Sequence, residues 1–304
     1  MAQAYAYTTM QAYPLTTTNT DCYFPAPASA GRVDPLENSE QAEVLAFLER
    51  RPIHTAYLAG MVRDNGLESE LNRGTFYGYR NSLGELEGVA LIGHATLLET
   101  TSNEALQAFA RTAQSCNAVH LIMCEENSID NFWSYYAAEG QQMRRACREL
   151  LFELRWPVEV SQVSNLRLAT LEDLPLLLPV HAQMALEESG VDPMEQDAAG
   201  FYARYARRIA QGRTWVLTEN GQLQFKAEVV AETRATSYIE GVWVNPSARR
   251  QGYGRRCMSQ LARMLLWRTK SICLFVNDEN EEAQRFYKQA GYHLRTVYDT
   301  IFLK

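Results

Sequence analysis

Residues 242–256 read Val242-Trp243-Val244-Asn245-Pro246-Ser247-Ala248-Arg249-Arg250-Gln251-Gly252-Tyr253-Gly254-Arg255-Arg256. An apolar strand passes through a turn with two glycines into a predicted helix, whose apolar stripe is Met258, Leu261, Ala262, Leu265 and Leu266. The first N–H groups of that helix have no internal acceptor, and its dipole adds roughly half a positive charge. Gly252 and Gly254 leave these groups open, and four arginines surround them. The segment therefore favours a ligand that carries phosphate groups.

Two other interpretations of this turn stay open. The arginines form a solvated face in one of them, and the glycines only permit a tight turn. A dinucleotide-binding turn is the other, but it requires Gly-x-Gly-x-x-Gly and an acidic residue about 20 positions later. Position 257 is Cys. The order of strand, proline, Arg-x-x-Gly-x-Gly and amphipathic helix favours the phosphate ligand over both.

Two motifs of the chain resemble those of the GNAT acetyltransferase superfamily. Arg249, Gly252 and Gly254 match the cofactor loop, Arg/Gln-x-x-Gly-x-Gly/Ala. Residues 280–292 resemble the second motif, Asn-x-x-Ala-x-x-x-Tyr-x-x-x-Gly-Phe/Tyr. The resemblance covers about 165–304 and implies acetyl-CoA, or a related acyl-CoA, as co-substrate, without a metal.

The resemblance also implies which residues bind the co-substrate. The pantetheine arm would pair with the backbone of Val242 to Val244 like an added strand, and Asn280 would hydrogen-bond the arm. The implied binding residues are Val242, Trp243, Val244, Arg249, Arg250, Gln251, Gly252, Tyr253, Gly254, Arg255, Asn277 and Asn280.

Acyl transfer to an amine requires a base, because an ammonium with a pKa near about 10.4 is almost fully protonated at pH 7. Glu240, four residues before Val244, is the candidate base, and apolar neighbours would raise its pKa. By the resemblance, Tyr287 donates a proton to the departing thiolate, and the N–H near Val244 meets the oxyanion. A solvated Glu240 and a core-packing Tyr287 are the structural alternatives.

Composition limits the function classes. The chain has 304 residues, 46% hydrophobic and 21% charged, with a net charge of -7 and a pI near 5.4. This acidic balance disagrees with nucleic acid or an acidic membrane as partner. The six cysteines and five histidines have neither disulfide-framework nor metal-site spacing, and no signal peptide or membrane span is recognisable. We expect a cytoplasmic protein.

The pattern of elements predicts an α/β (α+β) fold of tandem GNAT-like domains, each a mixed, mostly antiparallel sheet flanked by helices. The predicted parts are an irregular arm at 1–32, a degenerate GNAT-like domain at 33–155, a linker at 156–164 and a GNAT acetyltransferase domain at 165–304. Strands are predicted at 75–79, 88–95, 119–124, 166–169, 214–217, 225–231, 238–244, 272–276 and 292–302. Helices are predicted at 36–65 with a break near Pro52, and at 103–114, 171–188, 197–210, from 252 onward and at 280–290.

A weak internal repeat supports the tandem arrangement. A shift of 151 residues aligns 120–126 with 271–277, Tyr135-Tyr136 with Phe286-Tyr287, and Gly140 with Gly291. Residues 98–103 then stand opposite 249–254 and contain neither glycine nor arginine. We therefore expect the first copy not to bind a pyrophosphate and to serve packing, substrate walls or regulation.

The leading hypothesis is an N-acetyltransferase that uses acetyl-CoA and a small-molecule amine or a protein amino group as acceptor. Acidic residues after the first helix of the second half, Glu187, Glu188, Asp192 and Glu195, either favour a cationic acceptor or form solvated surface. The alternative is a non-catalytic acyl-CoA-binding sensor or regulatory protein, which has no need to keep Tyr287. Acyl length and oligomeric state are not readable from the sequence.

Overall fold

Residues 31–304, the part of the chain that the computed structural model describes, are built around one sheet of twelve strands. The first half contains β1 (Arg32–Pro35), β2 (Gly74–Arg80), β3 (Leu86–Gly93), β4 (Ala95–Thr100), β5 (Leu121–Glu125) and β6 (Met143–Leu154). Its helices are α1 (Gln41–Leu48), α2 (Ala56–Asn65), α3 (Asn103–Gln114) and α4 (Glu126–Tyr136). The predicted irregular arm lies, apart from its last residues, outside the described residues.

The second half repeats this order of elements. Its strands are β7 (Arg167–Leu168), β8 (Thr214–Glu219), β9 (Gln222–Glu232), β10 (Thr236–Val244), β11 (Ser271–Asn277) and β12 (His293–Leu303). Its helices are α5 (Leu174–Ser189), α6 (Pro193–Ala210), α7 (Tyr253–Leu266) and α8 (Glu281–Gln289). The predicted apolar stripe of α7 is buried in the largest core cluster, against β9, β10 and β11.

The strand order is β1-β2-β3-β4-β5-β12-β6-β11-β10-β9-β8-β7. If β7 to β12 are matched in turn with β1 to β6, the order of strands counted from one edge of the sheet is the same as the order counted from the other edge. The parallel pairs, β4 with β5 and β10 with β11, also match, and the other pairs are antiparallel. Gly140 and Gly291 follow α4 and α8, and both have φ +91°. The structure therefore confirms the predicted fold class of two related α/β halves.

The last strand of each half lies in the other half's part of the sheet. β6 pairs with β11 from Leu154↔Ile272 to Glu149↔Asn277. β12 pairs with β5, and β6 and β12 pair with each other at the centre. The domain boundaries predicted at 155 and 165 stay a prediction. The two halves share β6 and β12, the central strands of the sheet.

Most of the predicted elements are present, and the structure has four further elements that were not predicted. The first helix is broken around Pro52, and no helix or strand occupies the predicted linker. The four elements that the sequence did not reveal are β1, β4, α4 and β6. None of the helices within 31–304 is long and apolar enough to cross a membrane.

The strand exchange predicts that the second half does not fold alone. A fragment of residues 156–304 lacks β6, so β11 and β12 lose their shared partner and expose unpaired edges. We expect this fragment to show no cooperative urea unfolding by circular dichroism. A fragment of residues 143–304 keeps β6 and should unfold cooperatively. A monomeric 156–304 fragment with a cooperative transition would contradict the prediction.

Candidate active site

β10 and β11 separate toward their carboxyl ends. Their parallel pairing is confined to three residue pairs and ends at Tyr238↔Cys273. β10 continues to Val244 alongside β9, and β11 continues to Asn277 alongside β6. Beyond Tyr238 the facing edges have no strand partner within the described residues. The two strands thus form a V-shaped opening with free backbone groups on its walls.

A β-bulge shapes the β10 wall of this opening. Glu240 faces Glu228 and Trp243 faces Lys226, so β10 carries one extra residue between these pairs. Gly241 takes φ +60°, and a Cβ there would lie 2.9 Å from the Glu228 Oε1. This bulge was not predicted from the sequence, although a glycine inside an apolar strand is its usual signal.

The N–H of Val244 points into the opening. The next N–H, that of Asn245, donates to the Gln224 carbonyl on the β9 side, at 2.9 Å. Successive N–H groups of a strand point in opposite directions, so the Val244 N–H faces away from β9. This N–H group is therefore available to a ligand in the opening.

The turn after β10 brings a helix start to the mouth of the opening. Residues Pro246–Ala248 form one 3-10 turn, and Arg250 then takes φ +61°. Gly252 takes φ +80° and precedes α7, and no side chain within 31–304 caps the helix. The first amides of α7 are therefore available to an anionic ligand.

The two glycines of the motif have different roles. A Cβ on Gly252 would come no closer than 4.0 Å to another group, so its positive φ is what favours glycine. A Cβ on Gly254 would lie 3.0 Å from both Phe286 and Val244. Gly254 therefore permits close packing of α7 against β10 and α8, rather than clearing space for a ligand.

The arginines of the turn are mostly exposed. Arg249 donates from Nε to the Val244 carbonyl at 3.3 Å, and the Arg256 guanidinium stacks over the Tyr253 ring at 4.9 Å. Arg250 and Arg255 are exposed. None of these four arginines forms an ion pair with another residue of 31–304. Their positive charge is available at the helix start.

Several residues implied by the resemblance stabilise the turns themselves. Tyr253 donates its hydroxyl to Glu219 at 3.0 Å, and Gln251 donates to the Ser247 carbonyl at 2.9 Å. Asn280 caps α8 by accepting from the Ala283 N–H at 3.0 Å. Its side-chain amide N–H groups make no hydrogen bond to another residue of 31–304 and stay available to a ligand. Asn277 likewise accepts from the Glu279 N–H, at 2.9 Å.

Glu240 lies beside the opening and accepts a 2.5 Å hydrogen bond from the Tyr238 hydroxyl. The Glu240 side chain is exposed to solvent. Desolvation by the protein atoms around it nevertheless raises the pKa of its carboxyl group, and the nearby Arg208 opposes this rise. Solvent access moderates the shift, but its direction suits a base that must exchange protons.

Tyr287 is buried to all but 8% of its surface and packs against Phe286 and Tyr292. Its hydroxyl makes no hydrogen bond to another residue of 31–304, and burial raises its pKa. A tyrosine with a raised pKa is fully protonated at neutral pH and can donate a proton. Val244 and Tyr287 belong to the same apolar cluster, whereas the hydroxyl that contacts Glu240 is that of Tyr238.

The comparison with protein families decides the assignment of this region. Residues 210–294, from the end of α6 to the start of β12, match the family model described as an acetyltransferase (GNAT) domain. Residues 210–294 are a GNAT domain. No curated protein sequence matches the chain.

Solved structures extend the likeness of fold to both halves. A Drosophila protein has a TM-score of 0.64 at 12% identity, over 91% of this chain and 99% of that one. A GCN5-related N-acetyltransferase from Sphaerobacter thermophilus has a TM-score of 0.58 at 12% identity, over 90% and 95%. A tandem GNAT protein from the clavulanic acid biosynthesis pathway has a TM-score of 0.53 at 11% identity, over 89% and 98%. At such identities the likeness concerns the fold alone.

A buried ion cluster beneath Glu240 was not predicted from the sequence. In the GNAT domain, Glu228 is fully buried and pairs with Lys226, also fully buried, and with Arg208. His181 lies 3.4 Å from Glu228, and burial lowers the His181 pKa to about 4. The two cations hold the Glu228 pKa far below its usual range. Lys226 and Glu228 alternate with apolar core residues along β9, and this alternation was the available signal.

The first half carries the same opening in a closed form. β4 and β5 pair at three positions, ending at Leu97↔Met123, and Glu99 lies two residues further on. Arg51 fills this cleft and binds Glu99 at 3.0 Å and Glu125 at 2.7 Å. The chain then reaches α3 through two residues only, and the Ser102 hydroxyl caps that helix. The first half thus lacks both the open helix start and the free cleft of the GNAT domain.

Proposed function

We propose that this protein transfers an acetyl group, or a related acyl group, from acetyl-CoA to an amine by direct attack. The opening between β10 and β11 carries the proposal, because it ends at the uncapped helix start behind Gly252. A long ligand with an anionic end and an amide-containing arm fits these two features. The GNAT match at 210–294 supports acyl transfer in general.

The residues of the turn fit the diphosphate of acetyl-CoA. The first amides of α7 and the unpaired guanidinium groups of Arg249, Arg250 and Arg255 would bind it. The free edge of Val242 to Val244 would pair with the pantetheine amides. When bound there, acetyl-CoA supplies the thioester carbonyl group that the amine attacks.

Glu240 and Tyr287 take the two proton-transfer roles. Glu240 accepts one proton from the ammonium group, so that the nitrogen lone pair can form the new C–N bond. The Val244 N–H donates to the carbonyl oxygen as negative charge develops there. Tyr287 gives its proton to the sulfur as the C–S bond breaks. After the attack, the nitrogen loses its second excess proton to solvent, and a proton from solvent restores the Tyr287 hydroxyl.

A CoA-release assay with a panel of amines tests the proposal. We expect acetyl-CoA-dependent thiol release with at least one amine. Tyr287→Phe should lower kcat by about 10- to 100-fold while CoA affinity by calorimetry stays unchanged, because only the proton donor is lost. Tyr292→Phe is the matched control, since the Tyr292 hydroxyl is buried without a partner in 31–304. This variant should keep wild-type kcat.

The outcomes separate an enzyme from a sensor. CoA binding without thiol release across the whole panel would favour the non-catalytic sensor. Equal kcat values for wild type and Tyr287→Phe would remove Tyr287 from the mechanism and leave the transfer activity intact. Failure to bind CoA at all would refute the assignment of the turn.

A further inference from the structure

Three carboxylates lie on separate elements around the opening, with Glu240 on its β10 wall and Glu149 paired with Asn277 at the end of its β11 wall. Glu240 belongs to β10, Glu188 to the last turn of α5, and Glu149 to β6, the strand contributed by the first half. Desolvation by neighbouring protein atoms, followed by the charges of Glu240 and Glu149, raises the pKa of Glu188 to about 7. The Glu188 side chain stays exposed, so solvent reduces the size of this shift, but the two like charges support its direction.

These three carboxylates have no cationic partner in direct contact within residues 31–304. Glu240 accepts from Tyr238 and Glu149 from the Cys147 thiol at 3.6 Å, while the Glu188 side chain accepts no hydrogen bond. Arg208 lies near Glu240 but contacts Glu228, and Arg145 lies near Glu149 without forming an ion pair. In contrast, the buried Glu153 pairs with Arg155 and Arg295.

The first half contains a cation at the position that corresponds to the cleft beside Glu240. Glu99 and Glu240 occupy the same register, each two residues beyond the last parallel pair of its half. In the first half a cation already sits there, because the Arg51 guanidinium bridges Glu99 and Glu125. Arg51 belongs to the connection between α1 and α2, and the matching connection of the second half begins just after Glu188. The second half therefore presents an equivalent acidic cleft in which, within residues 31–304, no cation contacts Glu240 directly, because the nearby Arg208 and Lys226 pair with Glu228.

The walls of the cleft suit an organic cation. Tyr57 from α2 and Tyr238 pack edge to face at 6.0 Å, and burial, followed by the Glu240 charge, raises the pKa of Tyr57. Aromatic faces next to carboxylates attract ammonium groups. Within residues 31–304, no group of His, Cys, Asp and Glu is arranged to hold one metal ion.

The first half also fixes the position of Glu188. Arg144 donates to the Ser189 carbonyl at 2.9 Å, and Arg145 donates to the Glu188 carbonyl at 3.3 Å. Both arginines lie at the start of β6, so the exchanged strand holds the end of α5 as well as carrying Glu149. Two of the three carboxylates therefore depend on the first half.

We propose that the acceptor is a small amine with at least one further cationic nitrogen, a diamine or polyamine, whose second charge binds between Glu149 and Glu188. The reacting nitrogen then lies at Glu240. This inference rests on the proposed function, and it assigns the first half to acceptor recognition. Each charge-assisted contact of this kind is expected to change affinity by about tenfold or more.

Matched amines of equal length test the inference. The activity panel pairs 1,4-diaminobutane with butylamine, and 1,5-diaminopentane with pentylamine, and adds spermidine. We expect kcat/KM to be about 10- to 100-fold higher for the diamine of each pair than for the monoamine. Glu149→Gln and Glu188→Gln should each reduce this preference by about tenfold, mainly through KM. Glu187→Gln, one residue away and bonded only to Gln183, should leave the preference unchanged.

A binding measurement separates this inference from the proposed function. Calorimetry with the same amines in the presence of CoA reports charge preference without turnover, and CoA affinity confirms that each variant is folded. Turnover with equal kcat/KM for diamines and monoamines would overturn the inference and leave the acyl transfer standing. Preferential diamine binding without turnover on any amine would support the acidic site and refute the transfer activity. Glutamine variants with undiminished preference would also overturn the inference.

Discussion

Gly252→Asp should weaken CoA binding by at least about 100-fold. The residue lies at the start of α7, where the helix dipole and the exposed arginines favour an anion. An added carboxylate beside a bound diphosphate costs about 1 to 4 kcal/mol for each charge pair at 4 Å, depending on solvent exposure. It would also occupy the amides that the diphosphate needs. Calorimetric titration with CoA measures the loss.

The matched control is Gly252→Asn. Asparagine has nearly the shape of aspartate and also tolerates the φ of +80° found at this position. A side chain there meets open space, so both variants should unfold at a similar urea concentration. The asparagine variant should therefore bind CoA much more tightly than the aspartate variant. Equal affinities for the two variants would mean that the ligand's negative charge does not lie at this helix start.

The turn and the elements around it could be predicted because their signals are local. The glycines, the arginines and the apolar stripe of α7 lie within 25 residues of one another in sequence, and helix, turn and strand patterns are short-range properties. The role of Gly254 was not predictable in the same way, because it depends on a contact with Phe286, which is distant in sequence. The bulge at Gly241 had a local signal, a glycine inside an apolar strand, but the signal was not used.

β6 was missed because its sequence does not favour a strand. Residues 143–154 contain three arginines, two glutamates and three leucines, all good helix formers. The strand is formed by pairing with β11 and β12, more than 100 residues away. Such tertiary pairing overrides weak local propensity. Glu149, which lies on this strand, was consequently missed as a residue of the acceptor side.

The repeat was detectable, but one constant shift could not align it fully. The last parallel pair is Leu97↔Met123 in the first half and Tyr238↔Cys273 in the second. Leu97 therefore corresponds to Tyr238 and Met123 to Cys273, and the two sequence offsets differ. The difference arises largely because the second half inserts the long turn at 245–252 where the first half has two residues. A shift of 151 therefore hid the correspondence of Glu99 with Glu240. The correspondence became visible only from the strand pairing.

Glu240→Gln should lower kcat by about 100- to 10,000-fold with CoA affinity unchanged. Glutamine keeps the shape of the side chain and can still accept from the Tyr238 hydroxyl, but it cannot take a proton from the ammonium group. Steady-state CoA release with the best amine of the panel measures the loss. Glu240→Asp keeps a carboxylate one methylene further away and should recover part of the activity. A glutamine variant with full activity would exclude Glu240 as the base.

The pH profile distinguishes a lost base from a damaged fold. Burial raises the pKa of Glu240, so in the wild type kcat should fall as pH decreases through a value above the usual carboxyl range. The glutamine variant should lack this acidic limb. A raised pKa also means that the folded state favours the protonated form of Glu240. The free energy of unfolding therefore decreases as pH rises through the raised pKa and Glu240 becomes ionised. Glu240→Gln should therefore be at least as stable to urea as the wild type at pH 8, with a smaller advantage at pH 5. A variant less stable at pH 8 would point to a structural role for the carboxylate instead.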